Sequence, residues 1–453
     1  MKHSIRLYIK PDFLIYIGFH WLVNIAVFLS TANSQQCCDA EGYQNEANLI
    51  NTLGVIPSGD TTWLTFTHNY LYALFIHFIS IFGLTSRWPL TILQFIFVMI
   101  PGSIILAKSW KNQEKNRVAI GLLITVLSLF LNYNFTGYRL TEGISSGLLL
   151  LFCYLLISNL HSLKLPDSFY PKFVLLVLIA SLLWMLRPSF SWLLLVTLGV
   201  VTLLTIFNNT ISLSRRLFQS STFFIIASIV SLPQIFIAKR SIIDSLFHVS
   251  DYTNYIGPYS GVLRYITNLT GCGPNPMLFS PYGNLIEEIN PDDFVRNPIT
   301  LVSIFVTRVV SGWDAFPSSL TYVTSFGFFP ELIITLLSGI IFASPFMYAF
   351  VTLNQNISFY HKLIQLFLPF LFLISQLTSG MTHGEFRYNI VGWVLGFFAL
   401  MGILRQKMDI QKYLALGLIG LLFSFFFLVV GQLTLLSSDP WKECMLLLQG
   451  VTN

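Results

Sequence analysis

Long apolar runs alternate with short polar turns along the whole chain. From Asp12 to Ala32 the residues are almost uniformly apolar, and at 1.5 Å per residue such a run crosses ~30 Å of hydrocarbon. Runs of roughly 18 or more residues recur to the carboxyl end, too long for buried strands. The pattern predicts an all-α fold: a polytopic transmembrane helical bundle of about 10–13 spans. It leaves no soluble domain of ordinary size, so residues 1–453 read as a single integral-membrane domain. Phe66 to Gly83 resists the count. Its opening "TFTHNYLY" mixes polar and aromatic residues suited to a headgroup boundary, which predicts an interfacial or partly inserted helix.

Two polar stretches interrupt the apolar pattern. Residues 33–65 read as a first external loop, and 239–298 as a large external loop, where "CGPNPMLFSPYGN" and "INPDDF" supply turn-forming Gly, Pro, Asn and Asp. No internal repeat or low-complexity tract emerges.

Charge sharpens the picture. Only 10% of residues are charged against 54% hydrophobic, where a soluble domain carries about 25% charged. The net +5 does not imply a nucleic-acid partner. Lys and Arg fall in short clusters between apolar runs: at the amino terminus, Lys108 to Arg117, His161 to Lys172, Arg215 with Arg216, and Arg405 to Lys412. Such clusters mark cytoplasmic loops. With all of them inside, the turns at Asn132 to Glu142, Arg187 to Ser189 and Thr378 to Tyr388 reach the outer face. The first run follows Lys2, Arg6 and Lys10 and reads as an uncut anchor, with a cleaved signal peptide as the rival. Of five cysteines, Cys37, Cys38, Cys272 and Cys444 fall in segments read as external and Cys153 in a membrane run. An external disulfide among those four stays open, though their scatter has neither a disulfide framework nor metal spacing.

Candidate chemistry gathers at the outer turns. "QQCCDAEGYQNEANLINTLG" places Asp39, Glu41 and Glu46 just beyond the first run; exposed carboxylates are common, and spacing alone does not make them catalytic. "NYNFTGYRLTEG" sets Arg139 and Glu142 in an apolar hairpin. Ionisable groups at membrane depth cost roughly 2.5–3.5 kcal/mol each, so they are kept for function or paired, and i to i+3 spacing allows those two to pair with each other. Arg187 in "WMLRPSF" reads as a functional guanidinium or a snorkelling anchor. "SGMTHGEFRYNIVGW" brings His383, Glu385, Arg387 and Tyr388 together, a donor-rich, aromatic set able to recognise a lipid-linked phosphate or to anchor the boundary.

In order along the chain, these pieces resemble the GT-C superfamily of membrane glycosyltransferases that use polyprenyl-phosphate sugars, the group containing protein O-mannosyltransferases and lipid A aminoarabinose transferases. The likeness lies in a D-x-x-x-Y-x-x-x-A arrangement (Asp39, Tyr43, Ala47), an "FG" segment end (Phe82, Gly83), a T-E pair (Thr141, Glu142), an R-P pair (Arg187, Pro188) and E-x-R-Y (Glu385, Arg387, Tyr388). The usual "PP" or "HP" before the second span is replaced by "TFTHNY", and the common D-E pair is split as Asp39, Ala40, Glu41.

The resemblance implies a GT-C-like bundle, with an external juxtamembrane loop after the first span, in the cell inner or plasma membrane. It implies sugar transfer from a polyprenyl-phosphate donor to a hydroxyl of a glycan, lipid or protein acceptor, on the non-cytoplasmic side. Asp39 and Glu41 would be catalytic. Arg387, His383, Arg139 and Arg187 would bind the donor phosphate, and Tyr43, Glu142, Glu385 and Tyr388 the substrate. A divalent cation stays open as a cofactor. Two other classes stand beside this one: a polysaccharide polymerase or ligase, and a multi-span transporter.

Overall fold

The computed structural model describes residues 11–31, 40–54, 70–83, 87–111, 116–136, 141–161, 170–187, 190–208, 211–237, 305–306, 309–310, 313, 328–381, 389–406 and 409–436. Their regular elements are all helical: α1 (Pro11–Thr31), α2 (Ala40–Leu53), α3 (Tyr70–Ile81), α4 (Arg87–Lys111), α5 (Arg117–Leu131), α6 (Thr141–His161), α7 (Tyr170–Leu186), α8 (Ser191–Ile206), α9 (Leu213–Ile237), α10 (Phe328–Leu353), α11 (Phe359–Met381), α12 (Ile390–Arg405) and α13 (Ile410–Leu436). A π-helical turn, Asn132–Thr136, continues α5.

Among the described residues, seven helices are long and apolar enough to cross a membrane: α1, α4, α5 with its π turn, α9, α10, α11 and α13. Helices α3, α7, α8 and α12 are apolar but shorter, as is the apolar stretch Thr141–Ile157 of α6. The 12 residues of α3 extend about 18 Å, well short of a bilayer core. Within 33–65, expected as loop, residues 40–53 form α2. Its helix is amphipathic: Tyr43, Glu46, Ala47 and Ile50 are buried at i, i+3, i+4 and i+7, while Asn45, Asn48, Asn51 and Thr52 are exposed.

The chain divides into two compact units, Met1–Ile242 with Leu404–Lys407, and Ile243–Ile403 with Met408–Asn453. In the first, α1 and α5 run parallel and α4 antiparallel to them. Phe28 meets Trp88 edge-on at one end (ring centroids 6.5 Å apart) and Tyr16 meets Trp110 near the other (4.7 Å). Asp12 there takes an ion pair from Arg117 at 3.2 Å and a hydrogen bond from the Trp110 indole at 3.3 Å. Between these ends lies a buried polar seam. Asn132 Nδ2 donates to Asn24 Oδ1 at 2.7 Å, and Asn24 Nδ2 to the His20 carbonyl at 2.9 Å. Thr125 Oγ1 donates to the Gly121 carbonyl at 2.9 Å and hydrogen-bonds with His20 Nδ1 at 3.1 Å.

Proline and glycine set the tightest helix crossings. Pro101 has no N–H, so the Phe97 carbonyl in α4 loses its helical donor. Gly147 of α6 packs on that carbonyl so closely that a Cβ would lie 2.0 Å from its oxygen. The second unit repeats the device: Pro345 in α10 leaves the Ile341 carbonyl without its donor, and Gly396 of α12 approaches it, a Cβ there falling 2.7 Å from the oxygen. In the same unit α10 and α13 meet at Gly339 and Gly420, where a Cβ on Gly339 would lie 2.1 Å from the Gly420 carbonyl oxygen. Small residues are what let membrane helices approach this closely. Trp313, fully buried, fills the aromatic core of this unit against Trp393 and Phe342 and donates to Gln376 Oε1 at 2.7 Å.

Candidate functional site

Two ionisable residues of the first unit are buried where α6 begins and α7 ends. Glu142 Oε1 forms an ion pair with Arg187 Nη1, the carboxylate side chain being 2% and the guanidinium 10% exposed. The local sequence explains both positions. Thr141 and Glu142 open α6, and the Thr141 hydroxyl donates to Glu142 Oε2 at 3.1 Å. Pro188 disfavours helical geometry at the residue before it, so α7 stops at Leu186 and presents Arg187 at its carboxyl end. The following turn closes through the Phe190 N–H on the Arg187 carbonyl at 2.9 Å. Glu142 therefore pairs with a residue 45 positions on.

The amphipathic α2 supplies a wall beside this pair. Tyr43 and Ala47 pack in one apolar cluster with Tyr72, Ile76 and Ile79 of α3, Leu90 of α4, Ile144 of α6 and Leu186 of α7. Ile144 and Leu186 are each within two residues of the ion pair. Tyr43 meets Tyr72 edge-on at 5.0 Å between centroids. Glu46 lies on the same buried stripe of α2 as Tyr43. At the end of α2, Asn51 Oδ1 and His77 Nδ1 hydrogen-bond at 2.6 Å, tying it to α3.

Gln94 of α4 lies fully buried at the centre of this arrangement. Its Oε1 accepts from the Tyr72 hydroxyl at 2.7 Å and its Nε2 donates to the Thr136 carbonyl at 3.0 Å. Because a carbonyl can only accept, this pairing orients the amide. The side chain also rests on Gly143, where a Cβ would meet Gln94 Cδ at 2.6 Å.

The opposite end of the first unit is basic. Lys108 and Lys111 end α4 and Arg117 begins α5. Lys108 sits over the Tyr154 ring, 5.1 Å from its centroid, and Lys172 lies in the first turn of α7. Helix α8 runs back from the Arg187 turn, and Arg216 caps its far end through the Ile206 carbonyl at 2.7 Å.

Of the residues read from sequence, Glu142 and Arg187 are brought together, and Tyr43 packs in the cluster that holds their chain neighbours Ile144 and Leu186. Glu41 lies in the first turn of α2. Asp39, Arg139, His383, Glu385, Arg387 and Tyr388 lie outside the described residues, as do Cys37, Cys38, Cys272, Cys444 and the segment 239–298. Cys153 is a buried free thiol in α6. Among the described residues no group of three or more His, Cys, Asp or Glu could hold a metal ion. Sequence reasoning missed Tyr72, Gln94 and the burial of Glu46. Gln94 carried a signal, as the lone amide in the apolar "PLTILQFIFVMI"; Glu46 carried one in the i, i+3, i+4, i+7 stripe of α2. Comparison with protein-family models, curated proteins and solved structures returns no match to this chain.

Proposed function

We propose that this protein is a membrane glycosyltransferase that moves a sugar from a polyprenyl phosphate to an acceptor hydroxyl on the non-cytoplasmic face. The observation that carries the reading is that Glu142 and Arg187 form a buried ion pair while Tyr43 and Ala47 pack in a cluster with Ile144 and Leu186, close neighbours of that pair along the chain. Tyr43 with Ala47, Glu142 and Arg187 come from three separate pieces of the GT-C-like pattern, up to 144 positions apart by number (187 minus 43). A buried ion pair is costly to desolvate and contributes little net stability, so its retention beside polar, aromatic walls supports a functional role. The opposite, basic end of this unit supports the orientation, since positive charge favours the cytoplasmic side.

In this reading Glu142 fixes the Arg187 guanidinium, aiming N–H donors at the donor phosphate in a low-dielectric site. Arg139, three residues before Glu142, supplies further positive charge. Asp39, one residue before α2, accepts the proton of the acceptor hydroxyl. The acceptor oxygen then bonds to the anomeric carbon as the carbon–oxygen bond to phosphate breaks, and polyprenyl phosphate departs with the bonding electrons. Glu41 assists Asp39 as a second carboxylate, and Tyr43 offers a ring face to sugar or prenyl chain.

Sugar transfer by purified protein in lipid, with polyprenyl-phosphate monosaccharides as donors, tests the proposal. Wild type is expected to release free polyprenyl phosphate and Asp39→Asn to release none at equal protein level. Full activity in Asp39→Asn would remove its assigned role. No turnover of any monosaccharide donor by folded wild type would overturn the reading; use of a lipid-linked oligosaccharide would indicate a polymerase or ligase, and flux without bond cleavage a transporter.

A further inference from the structure

Gln94 links α4 to three other elements at the candidate site. Through Tyr72 it holds α3, and Tyr72 in turn supports Tyr43 of α2. Through Thr136 it holds the π-helical turn that leads towards Arg139. Through its contact with Gly143 it lies on the first turn of α6, one residue from Glu142. The polar seam extends the same scaffold to α1: Thr136 Oγ1 donates to the Asn132 carbonyl at 2.9 Å, and Asn132 donates to Asn24.

An amide at this depth needs partners for both of its ends, because hydrocarbon offers none. Gln94 gives its oxygen to one element and its nitrogen to another, so neither can shift without breaking a buried hydrogen bond. Gly143 is the matching concession: any side chain there would displace the amide.

We infer that Gln94 is a positioning residue, whose amide, clamped by Tyr72 and Thr136, sets the first turn of α6 and with it the Glu142–Arg187 pair. Its catalytic consequence rests on the glycosyltransferase reading; its geometric consequence does not. Small misplacements of a binding group lower rates steeply, on the order of 100-fold for 1 Å.

Two variants separate positioning from mere stability. Tyr72→Phe deletes one hydroxyl and keeps the ring; Gln94→Met keeps the length and removes both hydrogen bonds. Each is compared with wild type in lipid by kcat and donor KM per folded protein. Each is also compared by the Glu142 carboxylate infrared band, isolated as the difference from Glu142→Gln. The expected result is a fall in kcat of roughly 10–100-fold with little change in KM, and a shifted carboxylate band in both variants. An unchanged band, with activity falling only as folded protein falls, overturns the inference. If wild type itself shows no transfer, the glycosyltransferase reading fails and the infrared arm alone decides: a shifted band sustains the positioning role, an unchanged one removes it.

Discussion

Removing one partner of the Glu142–Arg187 pair takes from the other, buried charge the ion pair that the structure gives it. Glu142→Leu and Arg187→Met are each expected to destabilise the protein by about 3–5 kcal/mol. The double variant, which buries no charge, is expected to recover much of that loss, because the cost of either single change is mainly the stranded partner. Reversible unfolding in detergent measures this; a double variant as unstable as the sum of the singles would show no coupling between the two residues and would refute the stranded-charge account. Transfer activity is expected to be lost in all three. At this scale the sequence showed which residues were out of place in a membrane but not how they pair. The i to i+3 spacing offered Arg139, which lies outside the described residues, as a partner for Glu142; the pair of Glu142 with Arg187 is one that no local spacing suggests. Local spacing ranks neighbours along a helix and says nothing about the helix packed alongside.

Between elements, close approach replaces the hydrophobic effect, because lipid tails are as apolar as the side chains they would displace. Gly147 and Phe97 illustrate this. The carbonyl released by Pro101 needs space, and only a residue without Cβ gives it. Gly147→Ala is expected to push α4 and α6 apart and to cost about 1–3 kcal/mol or more. Gly199→Ala in α8, where a Cβ meets nothing within 4 Å, is expected to stay within about 1 kcal/mol of wild type. Parallel unfolding curves for the two variants check the contrast, and equal losses would refute the packing account. The prolines were visible in the sequence as interruptions of helical runs. Their partner glycines were not, since the 45 residues between Pro101 and Gly147 carry no mark of the contact. Helix α2 was more legible in principle: its stripe of Tyr43, Glu46, Ala47 and Ile50 is a helical period, masked by a composition that resembles a polar loop.

For the whole molecule, the first unit carries positive charge at one end and the buried acid–base pair at the other. Orientation is tested with single cysteines at exposed positions, with Cys37, Cys38, Cys272 and Cys444 replaced by Ser and the buried Cys153 kept. Thr52→Cys on α2 is expected to react with an impermeant maleimide added outside sealed right-side-out vesicles, and Lys111→Cys only after permeabilisation. Reaction of both from one side would contradict the two-ended arrangement. The sequence by itself determined that the chain is helical and made for a membrane, because span length, apolarity and the exclusion of charge follow from hydrocarbon acting as solvent for each segment separately. It also placed the basic clusters between the runs, since those positions depend only on order along the chain. Tertiary structure alone decided that Glu142 meets Arg187, that Gln94 ties Tyr72 to Thr136, and that glycines meet the carbonyls freed by proline. Those contacts join residues far apart in sequence, and their geometry exists only once the helices have chosen their neighbours.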